Sequence, residues 1–171
     1  MKCTCRHFII ATALIFSALF SAAQKPKTAL ELNDYFVAIT DTLYTYGTEW
    51  GAQFQKARKS HDFTTLTTPR TKIEKYANAK YWELLGMKDI GGSAKLRATV
   101  LEFLNFEIKL IKDAFIPFEK LNKTSSEEDI QKAIDALVNA SKDEEIALKA
   151  VNEEQVAYGK KNGFEIEKAE Q

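Results

Sequence analysis

Tyr46, Trp50 and Phe54 recur at four-residue spacing, so a helix would carry them as one aromatic stripe. Such a stripe usually packs into a core; the alternative is a cleft that takes a ligand or a partner. Arg97 is the second residue that could do chemistry. It falls one turn before Val100 and Leu101, on the apolar side of a helix, where a guanidinium needs a partner or a route to solvent. Glu49 is the candidate partner for a structural ion pair. A snorkelling surface position and an anion-binding role are the alternatives. Tyr46, Trp50 and Arg97 therefore make the candidate ligand or partner cleft.

Other reactive side chains are scarce. The chain has two cysteines, Cys3 and Cys5, and two histidines, His7 and His61. Beyond the first 23 residues there is no cysteine and His61 is the one histidine, so Glu-x-x-His pairs for a di-iron bundle, Cys-x-x-Cys-His for covalent haem and clustered Cys or His for zinc are all missing there. The Asp-x-Asp-x-Asp-Gly calcium loop is missing too, so no metal or cofactor is expected. His61 precedes Asp62 in a predicted turn and reads as solvated. Glu127-Glu128 and Asp143-Glu144-Glu145 read as helix surface, because a hydrolytic carboxylate pair must face itself across a cleft and nothing in the sequence marks one. The expectation is a non-enzyme. A strongly raised carboxyl pKa inside a cleft would favour the alternative, a hydrolase built from carboxylates and tyrosines.

The first residues read as an address. Lys2 and Arg6 precede an uncharged run, Phe8 to Phe20, and Ser21-Ala22-Ala23 ends it with small residues. The run is short for a span of about 30 Å of hydrocarbon, so it fits a cleaved secretory signal over residues 1–23, cut between Ala23 and Gln24. Both cysteines would leave with it. The part that remains, residues 24–171, should then have no disulfide, no thiol and no lipid anchor, and should be secreted to the periplasm or beyond.

Lysine plus arginine and aspartate plus glutamate both number 24, interspersed without a basic stripe, so nucleic acid is not an expected partner. Interspersed charge of this kind reads as solvated helix surface.

Helical periodicity then organises residues 24–171 as one domain. Leu32, Phe36, Ile39, Leu43, Tyr46, Trp50, Phe54 and Ala57 lie on one face of a helix expected over about 28–59. Gly47 and Gly51 inside it are read as letting a second helix approach closely around Trp50. Further helices are expected over about 68–85, opened by Thr68-Pro69 and stopped by a left-handed Gly86 with Met87 folding back on Trp82; over 93–122, capped by Ser93 and kinked or ended at Pro117; and over 126–162, opened by a Ser125–Glu128 capping box and continuous past Ser141. Gly163 should stop the last helix and let Phe164 fold onto Tyr158. Four amphipathic helices with short connections predict an all-α, antiparallel up-down four-helix bundle.

With the helices placed, Tyr35-x3-Ile39, Trp50, His61-Asp62, Leu66, Arg70 and the closing run Glu154 to Phe164 resemble a family of uncharacterised bacterial secreted or surface helical-bundle proteins. The resemblance implies export and a helical fold, and it carries no catalytic residue. The expected role is an exported interaction or ligand-binding module with a protein or small-molecule partner. A peripheral membrane protein is the alternative, and that would leave one helix with its apolar face outward.

Overall fold

The computed structural model describes residues 25–166; the expected leader and its cleavage point lie outside the described residues. The fold is all-α, with no strand among the described residues. Helix α1 spans Ala29–Ser60. Thr28 opens it with a capping box: the Glu31 N–H donates to the Thr28 hydroxyl at 3.2 Å, and the Glu31 carboxylate accepts from the Thr28 N–H at 3.3 Å. It stops at His61, which takes the left-handed conformation at φ 55°. Asp62 then caps a 3-10 turn, Phe63–Leu66, that buries Phe63 and Leu66.

Helix α2, Thr67–Leu85, runs directly out of that turn, so it has no side-chain cap and the expected Thr68 cap is not used. Pro69 does fall in its first turn, where a missing N–H costs nothing. Gly86 has φ −87° rather than the expected left-handed conformation; the turn is closed by the Met87 N–H donating to the Leu84 carbonyl at 3.2 Å. The loop that follows carries the positive φ values at Gly91 and Gly92 instead. Helix α3 spans Ala94–Leu110. Ser93 precedes it but does not cap it, because its Oγ accepts from the Ile90 N–H at 3.2 Å and its hydroxyl donates to Asp89 at 3.0 Å.

The expected single helix to residue 122 ends earlier. A wide π turn, Ile111–Phe115, follows α3, and a short helix α4, Ile116–Glu119, completes the run. The cause is Pro117. In a regular helix its ring would press on the carbonyl four residues back, and the extra residue of a π turn relieves that contact. Pro117 has no N–H to donate back along the helix and alanine would restore one, so Pro117→Ala is expected to leave the melting temperature equal or higher; a clear fall would show that the proline itself holds the turn.

Helix α5, Glu127–Asn162, is unbroken past Ser141. Its capping box uses Ser126 and Asp129, one residue later than Ser125 and Glu128, with the Asp129 N–H donating to Ser126 Oγ at 3.1 Å. The Ser125 hydroxyl instead accepts from the Asn122 N–H within the preceding loop. Gly163 stops α5 with φ 79°, and Phe164 lies edge-on to Tyr158 with ring centroids 6.0 Å apart.

The long helices pack in the cyclic order α1, α2, α3, α5 and back to α1, with α4 and the two turns closing one end. The core is aromatic at that end. Phe118 is fully buried and meets Phe54 edge-on at 4.8 Å, while Trp50 stacks on Phe115 at 4.1 Å and on Phe54 at 5.4 Å. Arg70 on α2 clamps α4 through its Nε, which donates to Glu119 at 2.5 Å. The far end is tied by Tyr158, whose hydroxyl donates to the Ile90 carbonyl at 2.7 Å.

Candidate functional site

A groove of about 470 Å³ opens between α1 and α5, floored by the end of α3 and the π turn. The wall from α1 carries Tyr44, Gly47, Trp50 and Gly51. Leu110 and Phe115 supply apolar floor, and Leu137 and Val138 supply the opposite wall. Gly47 and Gly51 do not admit a packed helix. A Cβ built on either meets nothing within 4 Å. Each weakens a helix interior by about 1 kcal/mol relative to alanine, and what the pair leaves is open space along the groove.

Two side chains in this groove break the rule that buried polar groups find partners. Trp50 is 3% exposed, its ring held between Phe54 and Phe115, and its Nε1–H has no hydrogen-bond partner among the described residues. Glu107 is 5% exposed, and its Oε1 is buried and likewise unpartnered. Two residues that line the groove therefore bury one unmet donor and one unmet acceptor in its walls.

Glu107 on α3 meets Glu144 on α5. Burial, then the charge of Glu144 and the hydrogen bond to it, push the Glu107 carboxyl up to about 8. Burial also raises Glu144, against the hydrogen bond with Glu107, which favours its carboxylate. Both shifts run upward, so the pair holds on to a proton above the ordinary carboxylate range, with Glu107 the more strongly raised of the two. Two carboxyls this close in a dry site cannot both ionise without a compensating cation.

The candidate cleft read from sequence is divided by the fold. Trp50 is in the groove wall. Tyr46 is not: it lies edge-on to Tyr76 of α2 at 5.5 Å, with the Lys72 ammonium 3.9 Å from its ring centre. Arg97 sits at the start of α3 and donates through Nη1 to the Met87 carbonyl, which secures the α2–α3 loop. It does not pair with Glu49, which binds Lys72 at 2.6 Å. Arg97 has a structural partner, but a carbonyl rather than a carboxylate.

Glu107 was not among the candidates drawn from the sequence, and Glu144, expected on the helix surface, instead lines the groove. A signal for Glu107 was present: Val100, Phe103, Leu104, Glu107 and Ile111 follow the three-four spacing of one helix face. Glu144 carries no such mark, since Asp143 and Glu145 flank it and its partner comes from another helix.

Elsewhere, Tyr35 accepts from Lys80 Nζ at 2.9 Å, and burial drives its phenol up to about 12. Burial raises Tyr158 as well. Both phenols are held away from the phenolate a nucleophile would need. No group of three or more His, Cys, Asp or Glu side chains is placed to hold a metal ion among the described residues. No helix among the described residues is long and apolar enough to cross a membrane.

Comparison of the chain with family models, with curated proteins and with solved structures finds no match.

Proposed function

We propose that the chain is an exported helical-bundle protein that holds a small ligand in the α1–α5 groove. The observation that carries this is the pair of buried, unpartnered polar atoms, Trp50 Nε1 and Glu107 Oε1, on two residues that line the same groove. Leaving such atoms unpaired costs about 1–3 kcal/mol each, and a ligand offering an acceptor and a donor would recover it. The two helix-interior glycines that keep the groove open add to the same reading.

The bundle itself is read as antiparallel and up-down. Gln155 near the end of α5 reaches Asn33 near the start of α1 at 3.3 Å, and Lys80 late in α2 reaches Tyr35 early in α1. Lys95 at the start of α3 pairs with Glu154 late in α5 at 2.5 Å. Export rests on residues 1–23 and on the resemblance to secreted bacterial bundle proteins. The balanced charge speaks against nucleic acid.

Gly47→Leu tests the groove. Its side chain would enter the open space without a clash, raise stability by about 1 kcal/mol through helix propensity, and block the site. In a Trp82→Phe background Trp50 is the remaining tryptophan, and its emission reports on the groove. Titration with hexanol, hexanoate and hexylamine is expected to shift that emission for at least one of the three, and Gly47→Leu is expected to abolish the shift. No shift with any of them, or an equal shift in the plugged chain, would sink the reading.

One observation favours a second reading. A carboxyl that keeps its proton near pH 7 beside a second carboxylate is the arrangement of a general acid and base. It would make the chain a carboxylate hydrolase, and hydrolysis of 4-nitrophenyl glycosides or esters, lost in Glu107→Gln, is what would establish it. The upward-shifted tyrosines lend it no nucleophile. A membrane-surface role has less behind it: the exposed large apolar side chains are Leu30 and Tyr44 on α1, Trp82 and Leu85 on α2, and Val138 and Ile146 on α5, so among the described residues no helix presents a continuous apolar face outward.

A further inference from the structure

We propose that the groove selects an organic amine, its ammonium seated between Glu107 and Glu144 and its apolar body lying along Leu110, Phe115 and Leu137. The proposal rests on the groove reading and names the ligand class.

Charge decides it. The groove is lined by two carboxyl side chains and by no lysine, arginine or histidine. An anion would meet like charge with nothing to balance it. A neutral alcohol could satisfy Glu107 Oε1 but would leave the two carboxyls competing for one proton. An ammonium has three donors and one positive charge. It can donate to the Glu107 and Glu144 carboxyls together, although it has no acceptor for the Trp50 Nε1–H, and it supplies the cation that lets both carboxyls ionise. The rest of the lining is apolar or aromatic, which suits a hydrocarbon body and favours a cation near its faces.

The titratable groups that line the groove with Glu107 are Glu144 from α5 and Tyr44 from α1; α2 contributes Ile73 and the π turn Phe115, neither of which titrates. The proton shared by the carboxyl pair must therefore leave when an ammonium enters. Affinity then rises with pH up to the point where Glu107 ionises by itself, by as much as about tenfold per pH unit. An alkylamine stays charged throughout that range, as a lysine side chain does.

The test is isothermal titration calorimetry with hexylamine, hexanol and hexanoate at pH 6 and pH 8, in two buffers of different ionisation enthalpy. Hexylamine is expected to bind about tenfold or more tighter than the other two, to release protons at pH 6, and to tighten about tenfold or more between the two pH values. Glu107→Gln should abolish both the amine preference and the proton release while circular dichroism shows the helices intact. Glu144→Gln, at a more exposed position, provides the second variant and should weaken hexylamine by at least about tenfold. Hexanol or hexanoate binding as tightly as hexylamine would overturn the amine proposal and leave the groove reading standing. So would hexylamine binding that ignores pH and Glu107→Gln. Failure of all three to bind would overturn both.

Discussion

Glu107→Gln is expected to stabilise the folded chain at pH 8, by on the order of 3 kcal/mol, and to flatten its dependence on pH. Burial and the neighbouring Glu144 raise the Glu107 carboxyl from the ordinary 4.5 to about 8. Between those two values the folded chain holds a proton that the unfolded chain has lost. The folded state binds more protons, so stability falls as pH rises through this window and levels off above pH 8. Glutamine keeps the shape and an N–H that can donate to Glu144, and it cannot ionise. Urea unfolding at pH 5 and at pH 8 checks this. The natural chain should lose stability over that interval, and the variant should lose much less. Equal slopes would mean that Glu107 is not the group that titrates. The sign matters for function: a side chain whose replacement stabilises the fold is a poor candidate for a structural role and a good one for a site.

Phe118→Ala is expected to have the opposite sign and a comparable or larger size. Phe118 is 0% exposed and meets the rings of Trp50, Phe54 and Phe63 where α4 closes the bundle. Truncating a fully buried phenylalanine costs about 3–5 kcal/mol, the lost transfer energy plus a cavity that rigid aromatic neighbours cannot fill. Domains of this size have about 5–15 kcal/mol in total, so the urea midpoint should fall by roughly a fifth or more with little change in slope. A loss under about 1 kcal/mol would show that the aromatic cluster is loosely packed. Phe118 does not line the groove, so a folded variant should still bind there.

Much of the helical fold was legible because the pattern that buries a helix is written in three- and four-residue steps. Leu32, Phe36, Ile39, Leu43, Trp50, Phe54 and Ala57 of α1 are buried as their spacing requires, and Tyr46 alone among that face is only half-buried because it lies at the edge against α2. The departures are local. Gly86 yields the left-handed positions to Gly91 and Gly92, where the loop makes its tightest approach to α5: a Cβ on Gly91 would meet the carboxamide of Asn162 and, at 3.1 Å, Ala29 Cβ. Pro117 announced a break, but not that an extra residue would widen the turn before it.

The site was less legible than the fold. Trp50 was visible as part of a stripe. Gly47 and Gly51 were visible too, but sequence alone does not say whether small residues admit a helix or leave a void. Glu107 falls on the buried face by spacing, yet its meaning depends on Glu144, and that pairing depends on the register of α5 against α3. Arg97 drew attention as a charge on an apolar face; its carbonyl partner on Met87 is a tertiary contact that no spacing rule supplies.

On the proposed function, Glu107 keeps a proton that a ligand's positive charge displaces. The side-chain carboxyl carbon of Glu107, assigned with Glu107→Gln and followed by NMR against pH, tests it directly, first alone and then with hexylamine. The account predicts titration near 8 in the free chain and a shift to lower pH when the amine is present. Titration in the ordinary carboxylate range, unmoved by the amine, would contradict it.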